Sequence, residues 1–301
     1  MNNNVKAIIL ALVASVSGVT MNVLIKFSLQ DINVFTAGFL RFLFGFILIL
    51  PFIFYTKFQN FKTPNLKIHL TRGILNIPMM LLGFSALQFI PLEQIKAISF
   101  VTPIIVVALS VIFLKEKIYL IRIGALLIGL VGVFVILRPG IVPINVGAYL
   151  VLCSCSIWSI VVIITKFAAR IDSAFTILSY QYTLVTFLSF PIALYFWQSP
   201  SSETLYYLIF AGIAGTIVHL CINTAYKLTD LSVLQPVNFS RLLIASLFGF
   251  LIFDEIPDIW TIIGGLIIFS SILIITYREN YLKKDIAKQS CLLYTSPSPR
   301  D

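Results

Sequence analysis

Ten apolar runs, each 19 to 23 residues long, follow one another through the first 277 residues, with short polar connections between them. At 1.5 Å per residue such a run matches a hydrocarbon core about 30 Å thick. The runs cover 5–27, 35–56, 68–89, 92–113, 119–137, 146–167, 175–197, 205–226, 231–252 and 259–277, and nothing between them is long enough for a soluble domain. Hydrophobic residues make up 59% of the chain and charged residues 11%, whereas an ordinary soluble domain carries about 25% charge. One core cannot hide so much apolar surface from water. The expected fold is an all-α polytopic membrane protein with ten transmembrane helices.

The net charge is +9, which invites a nucleic-acid reading. Its placement points to topology instead. With the N-terminus inside, one face collects fourteen cations: Lys6, Lys57, Lys62, Lys67, Lys115, Lys117, Arg122, Lys166, Arg170, Lys227, Arg278, Lys283, Lys284 and Lys288. The other face holds two, Lys26 and Arg138. That asymmetry follows the positive-inside rule, places both termini in the cytoplasm, and leaves no basic surface for nucleic acid. The first run is too long for a cleavable signal and reads as an uncleaved first helix. Cys153, Cys155, Cys221 and Cys291 form no CxxC pair or zinc spacing, and Cys153 and Cys155, on different faces of one helix, read as small apolar fillers. The last stretch, CLLYTSPSPRD at 291–301, breaks the composition and resembles a translated sequencing adapter. It is set aside from the cytoplasmic tail expected over 280–301.

The chain repeats itself. KFSLQDINVFT begins at Lys26 and KFAARIDSAFT at Lys166. PIIVVALSVIFLKE ends at Glu116 and LLIASLFGFLIFDE at Glu255; GALLIGLVGVFVILR ends at Arg138 and GGLIIFSSILIITYR at Arg278. The offset stays at 139 to 141 residues. The boundaries are therefore 1–140 and 141–279, with five helices in each half. Because five is odd, the second half enters from the opposite side of the membrane. Inverted-topology repeats of this kind place a binding site near the midplane, between the halves.

The segment FSALQFIPLEQIKAISFVTPIIVVALSVIFLKEKIYLIRIGALLIGLVGVFVILRPG resembles the end of an EamA repeat of the drug/metabolite transporter superfamily. The likeness lies in Ala86-Leu87, Pro91-Leu92, Pro103, Leu114 to Glu116, Gly124, Gly132 and Arg138-Pro139-Gly140. The second half keeps Glu255 and Gly264 but has Leu242 where the first has a proline. The resemblance spans about residues 5–278 and implies ten helices, two EamA domains and transport of a small molecule. Amino acids, other metabolites, drugs and nucleotide sugars all remain open as its cargo.

All twelve acidic residues fall in loops, at helix ends or in the tail, so a carboxylate proton relay has no carrier deep in a span. Glu116 and Glu255 sit where a negative charge favours a helix N-terminus. The cations differ. Arg241 lies about ten residues into the ninth run, roughly 15 Å deep, where a charge costs about 2.5–3.5 kcal/mol. It should face the bundle interior, either lining a cavity or making a structural hydrogen bond. Arg41 and Lys96 are shallower, and either could snorkel or face inward. Arg72 reads as an anchor at the cytoplasmic end. His219 reads as an interior hydrogen-bonding residue or a proton carrier. Gln235, Asn238 and Arg241 form a leaning stripe around Pro236, a proline that frees a backbone carbonyl. Asn22, Asn76, Ser99, Thr102, Trp158, Tyr180, Gln181 and Asn223 are the other expected cavity walls.

The candidate binding set is thus Arg241, Asn238, Gln235, Lys96, Arg41, Trp158, Tyr180, His219 and Asn22. No nucleophile motif, cofactor fingerprint or metal cluster is present in the sequence, so no cofactor is expected and the chain is not read as an enzyme. Interior cations without interior acids favour a substrate bearing a carboxylate, such as an amino acid. The expected function is secondary transport of such a metabolite by alternating access, in a bacterial inner membrane, with substrate and bilayer as the partners. Export of drugs or lipophilic compounds is the alternative. A membrane-embedded enzyme is the alternative of another class, and it lacks the acids and histidines its chemistry would require.

Overall fold

The computed structural model describes residues 3–90, 101–115, 120–137, 146–253 and 262–271, with isolated positions in between. All regular secondary structure among the described residues is helical, without strands. They form α1 (Asn3–Ser28), α2 (Val34–Tyr55), α3 (Leu66–Phe89), α4 (Val101–Leu114), α5 (Leu120–Leu137), α6 (Val146–Ala169), α7 (Ala174–Tyr195), α8 (Ser202–Leu228), α9 (Leu231–Asn238), α10 (Ser240–Phe253) and α11 (Ile262–Ser271). A single 3₁₀ turn, Gln59–Phe61, joins α2 to α3.

Six of these helices, α1, α2, α3, α6, α7 and α8, are long and apolar enough to cross a membrane. The others are shorter where described. The expected fourth span, 92–113, is described continuously only from Val101, and the expected tenth only as Ile262–Ser271. The expected ninth span is not one unbroken helix. It is interrupted at Phe239, which keeps right-handed helical angles (φ −64°, ψ −23°) while its N–H turns back to the carbonyls of Pro236 and Val237. Pro236 supplies the physical reason. It has no N–H to donate to the carbonyl four residues earlier, which removes a ladder bond from the turn that leads to Phe239.

Short polar side chains set the helix starts. Asn33, Ser173 and Ser201 stand in extended conformation before α2, α7 and α8, and each accepts a hydrogen bond from the backbone N–H three residues on. This N-cap satisfies one of the four donors that a helix start leaves free. The most extensive packing pairs α1 with α8 and α3 with α6, while α2 lies against α7 and α8. Small residues allow the closest approaches. A Cβ placed on Gly212 of α8 would lie 2.9 Å from Phe44 Cβ and 3.0 Å from the Gly45 backbone nitrogen of α2. One on Gly132 of α5 would lie 2.8 Å from the Gly264 carbonyl oxygen. Such contacts match the small-residue interfaces through which membrane helices associate.

Two carboxylates tie loops to distant helix starts. Asp31, between α1 and α2, accepts from Ser201 N at 2.8 Å and Thr204 Oγ1 at 2.7 Å at the start of α8. These bonds, the Ser201 backbone N–H foremost, hold its carboxyl below the ordinary value. Asp172, between α6 and α7, accepts from Thr63 Oγ1 at 2.8 Å and Asn65 Nδ2 at 3.1 Å, and meets His69 Nε2 at 3.0 Å, around the start of α3. Asp172 lies in a loop, where the sequence places it, yet it is only 5% exposed. Burial pushes its carboxyl up, but the bonds from Thr63, Asn65 and His69 outweigh that and bring it below the ordinary value. The clasp is therefore complete at neutral pH and is lost as pH falls through that depressed value.

Candidate functional site

A cavity of about 260 Å³ lies among α1, α2, α3, α4, α6, α8, α9 and α10. It gathers seven of the nine expected residues: Asn22, Arg41, Trp158, His219, Gln235, Asn238 and Arg241. Lys96 lies outside the described residues. Tyr180 is placed elsewhere. Its hydroxyl donates to the Phe61 carbonyl at 2.6 Å, and its ring stacks on His69 with centroids 4.4 Å apart. Rotation about α7 turns it toward the α2–α3 connection and away from the cavity.

Arg41, on α2, is 3% exposed. Its guanidinium carbon sits 4.0 Å from the Phe42 ring centroid, a cation–π arrangement. Gly215 makes room for it, because a Cβ there would lie 2.2 Å from Arg41 Nη2. Arg241 enters from α10, just past the Phe239 interruption. The Nε atoms of both arginines are buried without a hydrogen-bond partner, and neither forms an ion pair among the described residues. Asn238 Nδ2 donates to Gln235 Oε1 at 3.0 Å, and Gln235 Nε2 reaches the Leu231 carbonyl at 3.4 Å. The expected stripe is thus joined by a hydrogen bond and ends on an arginine with donor capacity to spare. Asn76, facing the same cavity, donates to the Arg72 carbonyl at 2.7 Å and leaves its own Oδ1 unpaired.

The rest of the wall is soft and apolar. Met21, Met79 and Met80 line it, as do Phe42, Phe84 and Tyr226. The chain has four methionines, so every one except Met1 faces this space. Thioethers are polarizable and adaptable and suit contact with flat rings. Cys155, expected as mere filler, lines the cavity as well.

Arg72 is not the peripheral anchor its position suggested. It is 2% exposed, and it donates from Nε to Thr165 Oγ1 at 2.8 Å and from Nη2 to Gln181 Oε1 at 3.1 Å. Gln181 Nε2 in turn lies 3.4 Å from His219. No group of three or more potential metal ligands occurs among the described residues. The arrangement can hold an anion between guanidinium forks and pack a flat or flexible body against sulfur and aromatic rings.

The EamA-like transporter family model matches residues 5–138 and again 145–277. The chain belongs to the EamA-like transporter family. It is accordingly a multi-pass integral membrane protein of a small-metabolite transporter family. An S-adenosylmethionine uptake transporter of Rickettsia felis is 29% identical over 89% of this chain and 91% of its own. One of the same description from Rickettsia bellii is 29% identical over 92% and 94%. A riboflavin transporter of Vibrio cholerae is 28% identical over 88% and 89%. A solved crystal structure shares the fold, with a TM-score of 0.75 over 92% of this chain and 98% of the other at 19% identity. The EamA repeats thus extend over both halves of the chain, including the second half, where the sequence likeness was thinner.

Proposed function

We propose that this EamA-family protein is a secondary transporter that moves a small carboxylate-bearing metabolite by alternating access between two halves, 1–140 and 141–279. The observation that carries the reading is the pair Arg41 and Arg241. Two guanidiniums, that of Arg41 buried and that of Arg241 half-buried, face one cavity with buried, unpartnered Nε atoms and no acidic partner among the described residues. A cation that deep is costly to leave without an anion, and a substrate carboxylate would supply one. The methionine and aromatic wall would take the remainder of the molecule. S-adenosylmethionine, the named cargo of the rickettsial relatives, carries both an amino-acid carboxylate and a flat heteroaromatic ring. Riboflavin has a flat ring system and no carboxylate. Gln235, Asn238, His219, Asn22 and Trp158 would orient the ligand.

The test is uptake into proteoliposomes of labelled amino acids, S-adenosylmethionine, simple carboxylates and riboflavin. Uptake should be confined to solutes bearing a carboxylate. Transport of riboflavin alone would remove the carboxylate from the account.

The two halves would be inverted repeats of five spans each, with both termini cytoplasmic in a bacterial inner membrane. The fourteen-to-two charge bias supports this orientation. The exchange of partners supports the two-fold relation between the halves: the first helix of each half packs on the third of the other, and each inter-helix aspartate reaches that same third helix or its start. Exposed Ser199 and Lys62 then lie on opposite faces. Ser199→Cys should react with an impermeant maleimide from outside intact cells, and Lys62→Cys only after permeabilisation. Reaction of Lys62→Cys in intact cells would reverse the orientation.

A further inference from the structure

The His69 ring lies apart from the cavity wall, at the start of α3, where it is 1% exposed. Its Nε2 faces Asp172 Oδ2 at 3.0 Å, while Nδ1 is buried with no hydrogen-bond partner. An imidazole whose Nε2–H donates to a carboxylate carries a basic lone pair on Nδ1, which is a vacant place for a proton. The carboxylate is itself fixed by Thr63 and Asn65, so it cannot swing away from the ring. The Tyr180 ring covers one side of the imidazole, stacked within 11° of parallel, and an aromatic face attracts a cation.

We propose that His69 is a proton-binding site, and that its occupancy is sensed at the substrate cavity through Arg72, Gln181 and His219. A proton from water bonds to Nδ1, hydroxide or water is left behind, and the ring becomes an imidazolium with Asp172 as counter-ion. No other bond breaks.

The route to the cavity consists of named contacts. Arg72 lies one turn beyond His69 on α3 and holds Gln181, whose amide nitrogen faces both ring nitrogens of His219 at 3.4 Å. His219 lines the cavity. The charged and titratable groups around His69 are Asp172 from the α6–α7 loop, Arg72 on its own helix and Tyr180 from α7. Behind them, Tyr226 of α8 acts on Arg72, and Lys166 of α6 is engaged with the Tyr226 and Thr229 carbonyls. A proton on His69 makes two cations, imidazolium and guanidinium, share Asp172. Arg72 is then pushed toward Gln181, and the Gln181–His219 contact changes.

The chain has only two histidines, so each imidazole can be followed individually. The experiment is NMR of the full-length protein in detergent micelles, with ¹⁵N-labelled histidine, titrated between about pH 5 and 8. His69→Gln and His219→Asn variants assign the two signals. The His69 resonance should titrate, and in Asp172→Asn its proton affinity should drop about tenfold or more, as expected for loss of an adjacent opposite charge. The His219 resonance should shift with the His69 midpoint in the parent and stop following it in Gln181→Leu. A His69 signal constant across the range, or one whose midpoint ignores Asp172→Asn, would overturn the proton site. A His219 signal that never follows His69 would overturn the coupling. None of these readings depends on which solute is carried.

Discussion

Arg241→Lys should keep the fold and weaken substrate binding about 10- to 150-fold, the equivalent of roughly 1.5–3 kcal/mol for one charged hydrogen bond. The guanidinium fork can grip a carboxylate through two parallel bonds, which a lysine ammonium cannot reproduce. Arg241 is also where the Gln235–Asn238 pair leads, immediately beyond the tightened turn at Phe239. Lysine keeps the positive charge, so folding should change little; Arg241→Gln removes the charge and should abolish high-affinity binding. The measurement is equilibrium binding of the transported solute together with thermal unfolding in detergent. Unchanged affinity with a large drop in stability would make Arg241 a structural residue.

Gly45→Ala should destabilise the bundle by about 1–3 kcal/mol, the usual cost of overpacking a tight interior. The new Cβ would lie 2.0 Å from Tyr182 Cε1, 2.8 Å from Cζ and 2.9 Å from Cδ1. Tyr182 has no room to yield. It is fully buried, its ring packs 5.3 Å from that of Phe42, and its hydroxyl accepts from Thr216 at 3.1 Å. Because Gly212 meets the Gly45 backbone from the other side, α2 cannot simply move outward. Gly124→Ala is the control: nothing lies within 4 Å of the added methyl. There the gain in helix propensity should leave stability equal or slightly higher. Thermal unfolding of the two variants side by side reads the difference, and equal midpoints would contradict the packing described for Tyr182.

The six long helices were legible in the sequence because lipid imposes a simple rule: a span must be apolar and of fixed length. The depth of Arg241 follows from that rule by counting along the ninth run. Rotation about a helix axis does not. Arg72 looked shallow by depth alone, yet its partners Thr165 and Gln181 stand 93 and 109 residues away. Tyr180 was placed with the cavity as a polar aromatic residue on the seventh run, but it turns toward Phe61 and His69. Asp172 is the loop acid the sequence suggests, but its burial was not legible, because its three partners come from a segment more than 100 residues earlier. The methionines of the cavity wall carried no signal, since in a chain that is 59% hydrophobic a thioether looks like any other apolar side chain.

The most direct test of the transport reading compares one solute in two forms. The solute taken up best from the panel is set against its own methyl ester as competitor, in proteoliposomes of the parent protein. The carboxylate should compete with full strength, and the ester about tenfold or more weakly, because it cannot accept two charge-assisted bonds from a guanidinium. An ester that competes as well as the acid would contradict the assignment of Arg41 and Arg241 to a substrate carboxylate.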